Sequence, residues 1–288
     1  MKYFIIIAFF LLWVTGLSSQ TTQSHITHGY RNGALIAIGG GGNDLFLIKE
    51  FKKYAGGDTA KIVVIPTALP DDYLQKDSSF LEIRHSFELA GFRDITILHT
   101  RDTTLANDEW FIAPLRTATG LFFTGGRQWR IADGFLNTKA HQEMFNLLDR
   151  GGVIAGSSAG ATIQGSYLAR GDTKNNQIMM GDHEMGLGFI TNVAIDQHVL
   201  ARNRQFDMFD ILKNRPELLG VGIDENTAIV VQADTLKVIG ESYVLIYDRS
   251  FWSREGSDLK YIPESKDLFY LLKEGDRYNM AERTILEQ

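Results

Sequence analysis

Residues 152–161 read Gly152-Val153-Ile154-Ala155-Gly156-Ser157-Ser158-Ala159-Gly160-Ala161. A short apolar run, Val153-Ile154-Ala155, feeds a serine bracketed by Gly156 and Gly160, a Gly-x-Ser-x-Gly frame. Tiny neighbours let a buried strand turn sharply into a helix, because the two backbones then meet with almost no side chain between them. Such an elbow lifts the serine hydroxyl clear of the sheet and leaves the following backbone N–H free to bind an oxyanion. The stretch therefore predicts a strand–elbow–helix unit, with Ser158 as candidate nucleophile and hydrolysis as the leading chemistry.

Upstream of the elbow, apolar runs alternate with helical patterns. Ala34–Ile38 ends in Gly39-Gly40-Gly41-Gly42, Lys61–Ile65 stops at Pro66, Ile95–Leu98 follows, and Gly120–Phe123 leads to Gly125-Gly126. Residues 45–54, 78–91 and 138–150 carry helical spacing. Runs apolar on both faces, separated by helices, predict an α/β fold: a doubly wound, mainly parallel sheet flanked by helices. Beyond residue 165 the runs 220–223, 228–231, 236–239 and 243–247 follow one another closely, which predicts antiparallel strands added in the C-terminal part. Ligands of open α/β sheets sit beyond the carboxyl ends of the strands. The Gly39–Gly42 loop, the Gly125-Gly126 loop and the Ser158 elbow should thus gather at one edge. The aromatic segment after Tyr247 (Trp252, Tyr261, Phe269, Tyr270, Tyr278) either packs on a sheet edge or builds a homodimer surface.

The chain has 288 residues, 44% hydrophobic and 22% charged, which suits one large domain. A formal net charge of −6 with no long basic run argues against nucleic acid as a partner. The absence of cysteine removes disulfides, thiolate metal sites and a cysteine nucleophile together. Lys2 followed by the apolar run Phe4–Val14 and then by Gly16, Ser18 and Ser19 has the pattern of a secretory signal peptide. The expected organisation is a signal peptide over 1–19, a linker over 20–30 and a single α/β domain over 31–288. Cleavage lies between Ser18 and Gln20, and the mature protein is exported. No second apolar segment approaches the roughly 20 residues of a membrane span, so no stable membrane association is expected after cleavage. An uncleaved N-terminal anchor is the competing reading.

A serine nucleophile needs a base, and the base usually needs an orienting acid. His25 and His28 fall in the linker and read as solvent-facing; His85 and His141 fall in helical patterns and read as surface residues. His99 ends a strand run, and His183 lies in the polar stretch Gly181-Asp182-His183-Glu184. His198 ends the run Asn192–Gln197 and is followed by Arg202 and Arg204, which makes it the preferred base. For the acid, Asp224 and Glu225 both follow the run Gly220–Ile223. Neighbours on an extended chain point to opposite sides, so one can face the site and the other not; Asp172, Asp182 and Asp196 compete. The order also matters. An α/β-hydrolase runs Ser, acid, His, whereas no histidine follows His198 here.

Thr124-Gly125-Gly126-Arg127-Gln128, the elbow, Asp196-Gln197-His198 and Gly222–Ala228 occur in the order seen in cyanophycinases, which the chain resembles over most of residues 34–246. That family also contains bacterial α-aspartyl dipeptidase and has a fold related to class I glutamine amidotransferases. The resemblance implies Ser158 as nucleophile, His198 as base and Glu225 as orienting acid, with the N–H groups of Gly126 and Ala159 as oxyanion hole. It implies that Gln128, Asp196, Gln197, Arg202 and Arg204 line the substrate pocket, and it implies a peptide or amide substrate without metal or other cofactor. The chain departs from the pattern at Arg127, where the relatives usually carry Asp or Asn, and at Val199, where they carry Phe. A second cationic wall suits the guanidinium groups of cyanophycin poorly, so Arg127 is expected to pair with a substrate carboxylate.

Two other readings stand beside this one. A non-peptidase amide or ester hydrolase would use the same residues, whereas a peptide- or carbohydrate-binding protein would have no need of serine, histidine and acid together. The Gly39–Gly42 loop lacks the Lys-Ser/Thr of a P-loop and the third glycine of a dinucleotide loop, and no repeated metal-ligand spacing occurs. A charged helix face is the plain structural account of Arg202 and Arg204.

Overall fold

The computed structural model describes residues 28–41, 45–257 and 267–287. The expected signal peptide, most of the linker, His25, Gly42 and Tyr261 lie outside them. Fourteen strands occur among the described residues: β1 Ala34–Ile38, β2 Lys61–Ile65, β3 Asp94–Ile97, β4 Gly120–Phe123, β5 Val153–Ser157, β6 Gly165–Tyr167, β7 Ile190–Gln197, β8 Leu219–Ile223, β9 Thr227–Gln232, β10 Thr235–Gly240, β11 Val244–Tyr247, β12 Tyr270–Leu272, β13 Arg277–Asn279 and β14 Thr284–Leu286. The helices are α1 Leu45–Tyr54, α2 Asp71–Leu74, α3 Ser79–Leu89, α4 Thr103–Ala106, α5 Glu109–Thr117, α6 Trp129–Phe135, α7 Lys139–Asp149, α8 Ala159–Thr162 and α9 Met208–Asn214.

One sheet runs β14-β13-β10-β9-β1-β5-β4-β2-β3. Its five strands from β1 to β3 are parallel, and antiparallel β9, β10, β13 and β14 extend it past β1. The continuous apolar runs are explained by burial on both faces. Ile36, Ile38, Ile62, Val64, Phe122 and Ala155 pack against Leu47 and Phe51 of α1 and Ile83 and Phe87 of α3. Their neighbours Leu35, Ala37, Val63, Ile65, Leu121 and Ile154 face α5 and α7 and the second sheet. That sheet runs β12-β11-β8-β7-β6, and its Val193, Ile195, Val221 and Ile223 share the core on this side. No helix among the described residues is long and apolar enough to cross a membrane.

The C-terminal strands pair differently from the local expectation. β9 and β10 form the predicted antiparallel hairpin, but consecutive β8 and β9 belong to different sheets. The chain leaves the second sheet at Ile223, turns through Asp224-Glu225-Asn226 and enters the first at Thr227. Short connections suggest hairpins; here the turn carries the chain from one layer to the other. The aromatic C-terminal segment divides likewise, giving β12 to the second sheet and β13 and β14 to the edge of the first.

Two histidines are not where the sequence suggested. His28 is buried, and its backbone N and ring Nδ1 meet Asp234 Oδ1 in the β9–β10 turn at 2.9 and 3.2 Å. His141 is buried as well: Nε2 meets the Leu187 carbonyl at 2.8 Å and the ring lies against Phe145 and Phe189. Both positions follow from long-range packing against chain more than 40 residues away, which local polarity cannot report.

Candidate active site

Three successive carbonyls at the end of β1 hold the segments that carry Ser158, His198 and Glu225. Ser158 N donates to Ile38 O at 2.9 Å, His198 N to Gly39 O at 3.0 Å, and Asn226 N to Gly40 O at 2.7 Å. Ser158, His198 and Asn226 all have positive φ, at 55°, 54° and 54°. Left-handed backbone at non-glycine residues persists only where the surroundings over-determine it, and these three hydrogen bonds supply that constraint.

The elbow follows from its small residues. A Cβ on Gly156 would lie 2.2 Å from Gly160 O, and one on Gly160 would lie 2.2 Å from Phe123 O. Only glycine lets β5, α8 and β4 approach this closely. Ser158 sits at φ 55°, ψ −111° immediately before α8. Its Oγ is 2.9 Å from His198 Nε2, and His198 Nδ1 is 2.6 Å from Glu225 Oε1. A carboxylate can only accept from the ring. Nδ1 therefore carries the proton, and the Nε2 lone pair faces the serine hydroxyl. Burial lowers the His198 pKa below the ordinary histidine value; Arg202 and Arg204 push the same way, while Glu225 opposes them. The ring is thus neutral and basic at neutral pH.

Asp224 and Glu225 point apart. Asp224 is buried and accepts Leu200 N and Ala201 N at 3.0 and 2.9 Å, with Ser242 Oγ on its other oxygen at 2.6 Å. It braces the turn after His198, and Glu225 alone of the two reaches the imidazole. That turn is not helical, so Arg202 and Arg204 do not share a helix face. Arg202 is exposed, whereas Arg204 is buried and reaches Gln197 O and Oε1 at 3.3 and 3.4 Å.

The other candidates lie elsewhere or are already engaged. Asp196 is buried in a bidentate pair with Arg170 at 2.7 and 2.8 Å. Gln128 Nε2 donates to Ala169 O and Arg170 O at 2.7 and 3.0 Å. His99 meets Thr67 Oγ1 at 3.0 Å. Asp172 Oδ1 caps its own loop by accepting from Lys174 N and Asn175 N. His183 bridges Asp182 and Asp133 at 2.9 Å each; burial opposes its charge, but the two carboxylates outweigh that and raise its pKa. Arg170, wholly buried with its guanidinium also on Asp207 at 2.6 Å, was not singled out in the sequence. Its only local mark is the glycine that follows it.

Gly126 has φ 136°, and a Cβ there would lie 2.1 Å from Ala68 O, so the Gly125-Gly126 loop is pressed against residues 68–69. A Cβ on Gly125 would lie 3.4 Å from that of Ser158, which puts the loop beside the elbow. Arg127 follows, with its N on Ala68 O at 2.9 Å and its guanidinium donating to the backbone carbonyl of Asp172. Arg130 reaches Ala68 O at 3.1 Å. Neither arginine has a carboxylate partner among the described residues, and the Nε of each is buried and unpartnered.

A doubly wound sheet with a strained serine at a strand–helix elbow, hydrogen-bonded to a histidine, is the framework of a serine-type peptidase. The chain belongs to peptidase family S51, whose family model matches residues 20–239. It is 31% identical to a cyanophycinase of Geminocystis herdmanii over 263 residues, 87% of this chain and 94% of the relative. A cyanophycinase of Trichormus variabilis is 30% identical over 269 residues, 88% of this chain and 87% of the relative. Among solved structures, a peptidase from an acI-B1 Actinobacterium superposes with a TM-score of 0.62 at 23% identity, covering 88% of this chain and 98% of that one. A putative peptidase E from Listeria monocytogenes gives 0.50 at 16%, covering 73% and 99%. At these identities the two structures speak for the fold.

Proposed function

We propose that the protein is an exported serine exopeptidase that cleaves aspartyl or β-aspartyl peptides through an acyl-enzyme on Ser158. The observation that carries this reading is the hydrogen-bonded series Ser158–His198–Glu225 at 2.9 and 2.6 Å. His198 Nε2 takes the hydroxyl proton as Oγ attacks the scissile carbonyl, and the N–H groups of Gly126 and Ala159 receive the oxyanion. His198 then protonates the leaving amine, and water, activated by the same ring, releases the acyl group. Glu225 holds the imidazole in the required tautomer.

The acidic substrate is supported by two cations without a carboxylate partner among the described residues: Arg127, next to Gly126, and Arg202, close enough to His198 to push its pKa down. Gln128, Asp196, Gln197 and Arg204 are buried and hydrogen-bonded within the protein, so direct contact with the substrate carboxylate falls to Arg127 and Arg202. Export rests on the pattern of residues 1–19. The relatives named cyanophycinases make that polymer the second substrate to test.

Mass analysis of products from cyanophycin and from α- and β-aspartyl dipeptides tests the reading directly. Hydrolysis of the dipeptides is expected, and inertness toward all three overturns it. Arg127→Ala should raise KM for acidic dipeptides by about 10-fold or more, the worth of one charge-assisted hydrogen bond; an unchanged KM removes Arg127 from recognition.

The pH profile has a definite sign. A base with a lowered pKa stays active as pH falls through the ordinary histidine range, so the acid limb of kcat/KM should have its midpoint below 6.5. In Glu225→Gln the group that raises the His198 pKa is gone. The limb should move further toward acid while the rate drops, and a limb moving toward higher pH contradicts the assignment.

A further inference from the structure

The cleft at Ser158 has a wall that acidic recognition leaves unused. A cavity of about 340 Å³ is lined by Ser158 and His198 together with Ile48, Ile83, Phe87 and Phe122. Ile48 comes from α1, Ile83 and Phe87 lie one turn apart on α3, and Phe122 comes from β4. None of the four carries a polar side-chain atom, and among the described residues no Asp, Glu, Lys or Arg lines the cavity, which leaves His198 as its one ionisable group there. Its volume is at the small end of ligand sites, enough for one side chain beside the reacting atoms. A guanidinium or carboxylate placed there would meet hydroxyls and backbone groups but no opposite charge among the described residues to offset its lost water. Arg127 and Arg202 lie outside its lining.

We propose that this cavity receives an apolar side chain on the leaving-amine side of the scissile bond. The proposal rests on the peptidase reading above, in which His198 delivers a proton to the leaving nitrogen. The residue attached to that nitrogen lies against the wall that the imidazole forms. The substrate class is then an acidic residue joined to a leucine- or phenylalanine-like one. An arginine in that position would set its charge against Ile48 and Phe87.

The test is a matched series of α- and β-aspartyl dipeptides whose second residue is Gly, Ala, Leu, Phe, Arg or Asp. Burying a large apolar side chain should raise kcat/KM for Leu or Phe over Gly by roughly 10- to 100-fold, with Arg and Asp no better than Gly. Ser86, exposed at the rim, offers a plug: Ser86→Phe should cut the Leu-to-Gly ratio by about tenfold. A Leu-to-Gly ratio within twofold of one, a preference for Arg, or a ratio insensitive to Ser86→Phe overturns the proposal. Labelling by a serine-directed phosphonate in the same preparations separates the two levels. Labelled protein without apolar preference refutes the cavity alone, whereas protein that neither labels nor turns over any member of the series refutes the peptidase reading and the cavity with it.

Discussion

Ser158→Ala is expected to lower peptide hydrolysis by about 10⁴- to 10⁶-fold and to abolish phosphonate labelling, while Ser157→Ala keeps the label. The size follows from how triads behave: once the nucleophile is lost, only binding and the oxyanion hole remain, and they supply a residual acceleration of about 10³–10⁴ over water. The contrast between neighbours follows from the elbow. Ser158 Oγ meets His198 Nε2, whereas Ser157 is the last residue of β5 and is buried. A stability measurement accompanies the kinetic one. Ser158 is held at φ 55°, ψ −111°, a conformation that costs about 1–3 kcal/mol for a residue with a Cβ. Alanine retains the Cβ and the strain, so Ser158→Ala should unfold near the wild-type denaturant midpoint. Glycine removes the strain at the expense of about 0.5–1 kcal/mol of chain entropy, so Ser158→Gly should be equally inactive yet more stable. Hydrolysis within tenfold of wild type in either variant would mean that another group performs the attack.

The parts of this molecule legible in the sequence are those set by local sterics or by burial on both faces. Ala34–Ile38 and Lys61–Ile65 read as strands because no polar residue interrupts their buried stretches, and their bounds match β1 and β2. The elbow reads because Gly156 and Gly160 tolerate no Cβ. The choice between Asp224 and Glu225 was legible only as an alternation. Which of them faces His198 depends on the chain changing sheets at that turn, a tertiary event without a local mark. His141 shows the same limit from the other side: it lies in a helical pattern, yet its ring is buried by Phe189, 48 residues further on. The site's frame is likewise non-local. Gly39 and Gly40 look like a weak phosphate loop in sequence, but in the fold their carbonyls carry His198 and Asn226.

That frame yields the second large effect. Gly40 has φ 105°, and a Cβ there would lie 2.2 Å from His198 Cε1, 2.7 Å from Nε2 and 2.8 Å from Nδ1. Real Cβ atoms do not approach other heavy atoms this closely, so in Gly40→Ala either the ring or the loop must move. Either shift disturbs the 2.9 Å contact with Ser158 or the 2.6 Å contact with Glu225. Misplacement of a catalytic group by about 1 Å costs on the order of 100-fold, and kcat/KM should fall by at least that much. Backbone strain alone would also destabilise the variant, so the comparison needs a glycine with positive φ and no neighbour. Gly57 has φ 64° and nothing within 4 Å of a built Cβ. Gly57→Ala should share the sign of the stability loss and keep near-wild-type activity, because its strain is far from the imidazole. If Gly40→Ala remains within tenfold of wild type while folded, the end of β1 does not hold His198 in place, and the account of how the three segments are brought together fails.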